Sequence, residues 1–531
     1  MMEPVKKDVP MNSFDFSLEM GRHKSHDVGE THELKKGFSR LTILSTTVIL
    51  MATWEALSST MASGLISGGP ASLIYGYILA VIGSLATAAS LGELASMYPT
   101  AGGQYHFTAL LAPKRCQKIL SWVVAWIGTF GWISFAASAP FLAAGMIQGL
   151  LILNHENYEA QRWHVSLMYW GLVVLGTVIN IWGSRFLSVV ERSSLIIHVL
   201  AFIAIFAVVW ACSPAKHSAD FVFTLFENNS GWTSDGIAWS LGMLSSSYVL
   251  AGEHCPKRSI PQGNNIGISG YDGAIHLGEE MANPEVAVPY CMLGSVAING
   301  SMGFVFLLAI LFCMGDMQTA LDSATGYPII EIFRGVTGSK GAGSAMVSML
   351  ILAAWLATIA LLASTSRMVW SLTRDKALPG HAYLVELDRK TQLPKRAILA
   401  TGVVLVLLGL INIESKTAFN AILFLAVLGL HVSYVVPIAL MLWLRLFSLS
   451  PLHYGPWKLG RSGVALNLMS VCYLVYTSIF MVFPPYQPVT ALNMNYSSLI
   501  FGAVIISSGI YWVWKGRRQY DGPNAYIPQG I

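Results

Sequence analysis

From residue 41 to residue 514 the chain alternates apolar runs of about 20 residues with short polar, glycine-bearing or proline-bearing breaks, and a run of that length lets a helix cross the hydrocarbon core of a bilayer. About twelve such runs can be read, at approximately 41–66, 71–97, 118–148, 166–183, 193–212, 236–280 with an interruption, 289–315, 346–370, 397–413, 417–444, 464–485 and 497–514. A backbone in lipid has to satisfy its own N–H and C=O groups, so these runs commit the chain to helices. Only 11% of the residues are charged, against about a quarter in a soluble chain. The expectation is an all-α polytopic membrane protein with a transmembrane domain over 41–514.

The first forty residues are polar and charged without an apolar core, which predicts a disordered tail over 1–40 and no cleavable signal peptide. A second tail is expected over 515–531. If the N-terminus is cytosolic, 25 of the 32 Lys and Arg residues fall on inner segments and 5 on outer ones (Arg162, Lys216, Arg334, Lys340 and Lys416), with Lys257 and Arg258 counted on neither side. That bias places both termini in the cytosol, and with it the net charge of +4 is a statement about topology and not about nucleic acid. The six cysteines are scattered without CxxC spacing and read as buried thiols. The sequons at Asn228 and Asn495 fall on the expected outer side, while that at Asn299 lies inside a span.

An ionisable group inside a bilayer costs several kcal/mol, roughly 2.5–3.5 on insertion scales, and such groups mark sites of function. Glu55 sits in the middle of the first run, flanked by Thr53, Trp54, Ala56, Ser58 and Ser59 and followed by Gly64, Gly68 and Gly69. That composition suits a helix that unwinds to line a water-filled site. It also suits a packing face of small residues, with Glu55 bonded to a neighbouring span. Asp272 is the second candidate, four residues before His276 on one helical face. Glu279 and Glu280, just before Met281-Ala282-Asn283-Pro284, read as a solvated helix end. His198 in the fifth run is either a proton carrier or a neutral histidine bonded to a carbonyl. His431 has a weaker claim. Ser364 and Thr365 could coordinate a cation or bond back to their own helix. No nucleotide, zinc-protease or serine-hydrolase motif is present, so neither an enzyme nor a cofactor is expected.

Four stretches, 67–105, 270–289, 365–379 and 454–467, resemble in order the fungal amino acid/choline transporter branch of the amino acid–polyamine–organocation superfamily, which includes GABA and choline permeases. The resemblance implies two inverted repeats of five spans plus two further helices, and alternating access around a midplane site where the first and sixth spans are broken. It sets the first break near Ala52-Thr53-Trp54-Glu55-Ala56 and the sixth between Tyr248 and Asp272, with Ala251, Gly252 and Tyr271 at the substrate. It implies import of a small amine-bearing solute, with Glu55, His198 and Asp272 as the groups that could carry a coupling proton. A plasma-membrane location is part of the same expectation, and the alternative is a non-transporting nutrient receptor on the same fold. A fixed acid beside Trp54 favours an ammonium through Coulomb attraction and a cation–π contact of about 0.5–2 kcal/mol.

Residues 253–270 do not fit that pattern. Removing these eighteen residues leaves SSSYVLAGYDGAIHLGEEMANP, which reads as one continuous span end. Gly252-Glu253 can be encoded with GTGAG and Ser269-Gly270 with CAGG, common opening and closing sequences of introns. The expectation is a retained intron or splice isoform, because Glu253, His254, Lys257, Arg258 and two prolines inside a spanning helix would break its hydrogen bonds where lipid offers none. The rival is a gating loop.

Overall fold

The computed structural model describes residues 38–183, 186–244, 253–255, 258–259, 269–448, 452–491 and 493–523. The first span is two helices, α1 (Arg40–Met51) and α2 (Thr53–Ile66), divided at Ala52. Ala52 takes φ 39° and ψ 47°, a left-handed conformation that costs an L-residue about 1–2 kcal/mol. The break therefore falls where it was expected, and it is one residue wide.

Then come α3 (Gly69–Met97), α4 (Gln104–Leu111), α5 (Gln117–Asn154), α6 (Arg162–Trp182) and α7 (Leu187–Cys212). Short helices α8 (Ala219–Thr224) and α9 (Asp235–Leu244) follow, and the chain resumes as α10 (Gly273–His276). Next are α11 (Pro284–Cys313), α12 (Met317–Leu321), α13 (Pro328–Thr337) and α14 (Lys340–Arg374). The last five are α15 (His381–Leu384), α16 (Lys395–Glu414), α17 (Lys416–Phe447), α18 (Gly463–Phe480) and α19 (Ser497–Tyr511). Among the described residues eleven helical stretches are long and apolar enough to cross a membrane. The short pieces α9 and α10 hold the sequence position of the sixth expected run. Of residues 245–268 the described backbone is a two-stranded antiparallel ribbon, Glu253–Cys255 with Arg258–Ser259. Tyr248, Ala251 and Gly252, most of the expected insertion, and 1–37 of the expected N-terminal tail lie outside the described residues.

Some of the largest helix contacts join α3 to α11, α5 to α14 and α6 to α16. Each pair links a span to the one five places later, the arrangement of two five-span repeats related by a two-fold axis. The short helix α4 after the second span has its counterpart in α12 and α13 after the seventh. Both ends of the described chain lie on one face. Phe38 N–H donates to the Glu280 carbonyl at 3.2 Å, and the Tyr520 hydroxyl lies 2.6 Å from Ser121 Oγ, whose own hydroxyl donates to the Tyr105 carbonyl. The C-terminal helical segment runs to Gln519, and Tyr520 is buried rather than solvated.

Three lesser expectations change. Asn495 is fully buried, its amide donating to the Met481 carbonyl at 2.7 Å, and the Asn228 amide donates to the Trp232 carbonyl and to Asp235. Neither amide nitrogen is free to carry a glycan. Of the described cysteines only Cys291 and Cys313 are buried; Cys212 and Cys472 sit on the outer surfaces of their helices.

Candidate functional site

The broken spans meet. A Cβ on Gly270, whose φ is +90°, would stand 2.5 Å from Leu50 Cδ2 on the last turn of α1 and 2.5 Å from Phe135 Cε1 on α5. Only glycine fits there. It delivers Tyr271 and Asp272, both fully buried, onto the junction. Gly273 extends the contact, its virtual Cβ 2.8 Å from Leu50 Cδ1 and 3.2 Å from Ser364 Oγ.

Asp272 is the centre of one polar cluster. Its Oδ2 accepts from Gln104 Nε2 at 2.7 Å and from Trp132 Nε1 at 3.2 Å, and His276 Nε2 stands 3.5 Å away. His276 Nδ1 lies 2.7 Å from the Ala101 carbonyl, which can only accept, so that nitrogen carries the hydrogen and Nε2 is the one that gains or loses a proton. Oδ1 has no close hydrogen bond among the described residues, the Tyr434 hydroxyl being the donor that approaches the carboxylate, and Ser364 Oγ has no partner among them. Leaving such atoms dry costs about 1–3 kcal/mol each, so they mark where a ligand or water belongs. The wall is aromatic. Trp132 packs edge-on to Phe135 with centroids 5.7 Å apart, and the Tyr271 and Tyr434 rings are 5.8 Å apart.

Glu55 is the centre of the other cluster. Its Oε1 lies 2.6 Å from His198 Nδ1, with the side chains 1% and 0% exposed. Trp54 Nε1 reaches the same imidazole at 3.2 and 3.3 Å. An indole nitrogen can only donate. The consistent assignment is Nδ1–H donating to Glu55 and Nε2 accepting from Trp54, a neutral histidine beside a carboxylate. The second oxygen, Oε2, has no partner among the described residues, and neither has Thr53 Oγ1. Trp54 itself packs against Phe202 and Phe306 at centroid distances of 5.9 and 5.3 Å. The acid expected to face the substrate beside Trp54 is thus joined to a neighbouring span, and His198 meets a carboxylate rather than a carbonyl.

Asn299 spans the break. Its Oδ1 accepts from Thr53 N–H at 3.4 Å, and its Nδ2 donates at 3.1 Å to the Val48 carbonyl, which also keeps its helix bond from Ala52 N–H at 3.2 Å. In the sequence it drew notice only as a sequon. Gln104, Trp132 and Tyr434 were also missed; Gln104 lay within a matching stretch, but nothing in its spacing pointed at Asp272. Thr365 Oγ1 donates to the Trp132 carbonyl at 3.3 Å instead of to its own helix, and His431 Nδ1 pairs with Thr477 Oγ1 at 2.9 Å as a satisfied core histidine.

Glu279 and Glu280 are not a solvated helix end. Glu280 Oε1 accepts from Arg367 Nε at 2.8 Å with both side chains buried, and Arg374 grips Glu279 through two bonds at 2.9 and 3.1 Å. Ala101 N–H adds a bond to Glu279 at 2.9 Å, and His106 and Tyr105 each reach Asp375 Oδ2 at 2.8 Å. Glu93 pairs with Arg445 on the same face. This network seals the face that holds both chain ends. At the opposite face lies an open cavity of about 480 Å³ whose lining includes Glu156, Asp322, Glu331, Arg334 and Lys340 and none of the expected site residues. One end is clasped by ion pairs, and the cavity lies at the other.

A family model described as "Amino acid permease" matches residues 37–506. A protein named choline transporter from Saccharomyces cerevisiae is 30% identical over 493 residues, which cover 93% of this chain and 83% of that protein. Amino-acid permease 2 of Neurospora crassa is 27% identical, with 97% of this chain and 91% of that one covered. Amino-acid permease BAT1 of Arabidopsis thaliana is 25% identical, with 97% and 98% covered.

Proposed function

The chain belongs to the amino acid permease family, and on that premise we propose that Asp272 holds the amine of its solute where the broken first and sixth spans meet. The protein is an integral multi-pass membrane protein and a secondary transporter of amino acids or amines, not an enzyme. Names of transporters and permeases among its relatives give no support to a nutrient-receptor reading.

The observation that carries the proposal is the buried Asp272 carboxylate, with one oxygen fixed by Gln104 and Trp132 and the other without a close hydrogen bond among the described residues, approached by the Tyr434 hydroxyl. A carboxylate walled by Trp132, Tyr271 and Tyr434 suits an ammonium or quaternary amine, through its charge and through ring faces. Choline, GABA, a neutral or basic amino acid, a polyamine-like or a specialised-metabolite amine all present that group. Thr53, Ala56, Tyr248, Ala251 and Gly252 complete the proposed pocket, and Ser364 with Thr365 a possible cation position. The coupling ion is a proton, carried by Glu55 with His198 and by Asp272. In the neutral-histidine arrangement an arriving proton finds room on Glu55 Oε2, whereas a hydrogen on His198 Nε2 would oppose the Trp54 N–H. The Lys and Arg bias supports cytosolic termini, and the plasma membrane is the proposed site.

The test is uptake of radiolabelled choline, GABA, arginine, leucine and putrescine in permease-deficient yeast, for wild type and Asp272→Asn at equal surface expression. Saturable uptake of at least one, lost in the variant, is expected. Normal uptake by Asp272→Asn removes Asp272 from the amine site.

A further inference from the structure

Glu191, in the first turns of α7, is 2% exposed, and its carboxylate has no ion-pair partner and no close hydrogen bond among the described residues, the Thr46 hydroxyl being the side-chain donor that approaches it. A buried charge left unpaired costs several kcal/mol, so such a group is held for a purpose or held neutral. From α1 it is faced by Thr46 and from α14 by Arg367, the charged group that reaches it among the described residues. Arg367 is already engaged. Its Nε donates to Glu280 at 2.8 Å and its Nη1 leans on the Ala363 carbonyl at 3.3 Å, all within the buried clasp that ties 278–280 to α14. On α7 itself Arg192 is exposed and turned to the Ser188 carbonyl, and Arg185 lies outside the described residues. His198 lies seven residues further along the same helix face, about 10 Å at 1.5 Å per residue.

Two acids and one base share this buried space. With both acids ionised the triad holds an excess negative charge away from water, so the carboxyl outside the Arg367–Glu280 ion pair is the one to carry the extra proton. When the sixth span moves and Glu280 leaves, Arg367 loses its counter-ion and Glu191 is the nearest replacement. We propose that Glu191 is a second proton site, loaded while the Arg367–Glu280 pair is closed and emptied when that pair opens. On opening, the O–H bond of Glu191 breaks, its proton passes to water on the clasped face, and the carboxylate formed pairs with Arg367. This rests on the proton-coupled reading above and gives it a release point near the gate, two helix turns from the Glu55–His198 pair.

Infrared difference spectra of the purified full-length protein, recorded across pH steps, test the site without any substrate. A protonated buried carboxyl should show its C=O band in wild type, lose it in Glu191→Gln, and retain it in Glu55→Gln. In Glu280→Gln, which frees Arg367, the band should vanish because Glu191 ionises against the guanidinium. A band unchanged in Glu191→Gln, or one that persists in Glu280→Gln, overturns the proposal. In proteoliposomes with radiolabelled choline or GABA as probe, Glu191→Gln should keep counterflow exchange while gradient-driven accumulation falls about tenfold, within ordinary coupling free energies. Accumulation equal to wild type counts against Glu191. A wild-type protein that exchanges its probe but ignores the proton gradient defeats the proton-coupled reading instead, and the infrared result then stands apart from it.

Discussion

Asn299 Nδ2 sits 3.1 Å from the Val48 carbonyl, which the Ala52 N–H also reaches at 3.2 Å, so a side chain of α11 adds a second bond on the near side of the break. With its Oδ1 on Thr53 N–H, one amide holds both lips of the break. Asn299→Ala strips the buried Thr53 N–H of its partner, at about 1–3 kcal/mol, and leaves the Val48 carbonyl with its Ala52 bond alone. Lower thermal stability in detergent and weaker transport are expected together. Asn299→Asp keeps the acceptor for Thr53 and loses the donor to Val48, so it should also fail. Unchanged melting of Asn299→Ala would show that the break needs no splint.

Ala52 itself carries strain that glycine would not. Ala52→Gly keeps the left-handed turn without the Cβ penalty of about 1 kcal/mol, so it should fold at least as well as wild type. Ala52→Val should be poorly tolerated, since a β-branched residue resists positive φ. Surface expression and melting temperature of the two variants give the ranking, and a reversal of it would contradict the turn described at 52.

Glu55→Gln keeps an acceptor for His198 but removes the charge and the oxygen that can take a proton. Uptake is expected to fall at least tenfold, equivalent to about 1.4 kcal/mol. His198→Gln tests the same pair from the other side and should flatten the pH dependence of uptake while leaving surface expression intact. Normal rates and an unaltered pH profile in both variants would reduce the pair to helix packing.

Asp375 caps α14 at the clasped face. Burial pushes its carboxyl up, but the His106 bond and charge, then Arg374 and Tyr105, hold it below the ordinary value of 3.8. A carboxyl depressed in the folded state stabilises above its unfolded value and loses that contribution as pH falls through the folded one. Melting temperature should therefore drop as pH goes below 4 and down through the folded value, with Asp375→Asn less stable at neutral pH and flatter over the acid range. Equal slopes for the two proteins would mean that Asp375 adds nothing to the acid response.

How far the sequence reached is clear at Glu55. Its cost in lipid announced it, and the small and hydroxyl residues around it announced the break, because both are properties of the local run. Its partner was named as a separate candidate, yet nothing joined His198 to Glu55, since they are 143 residues apart and only the packing of α1 and α2 on α7 brings them together. The same limit hid Gln104 and Trp132 from Asp272. Glu279 and Glu280 were misread for a related reason. A pair of acids before an Asn-Pro turn looks solvated until Arg367 and Arg374, 87 and 95 residues further along the chain from their partners, are seen to cover them. Spans, breaks and orientation are written locally in apolar length and charge; ion pairs across the bundle are not.

The proposed insertion yields the sharpest comparison. The position before Tyr271 has φ +90° and no room for a Cβ between Leu50 and Phe135, so it has to be glycine. In the chain as written that residue is Gly270. If 253–270 are absent, Gly252 stands before Tyr271, and Ala251 replaces Ser269, which is 3% exposed; the local demand for glycine and for a small buried residue is met in both forms. What the longer form adds is Glu253, His254, Lys257, Arg258 and two prolines in the stretch of chain that leads into Asp272, whose carboxylate is proposed to hold the solute. The shorter form is expected to transport at least tenfold faster at equal expression, a difference of about 1.4 kcal/mol in the barrier. Transcripts read across codons 252–271 and uptake by the two forms decide it together. Equal transport, with every transcript carrying the eighteen codons, would make the segment a working loop of the transporter.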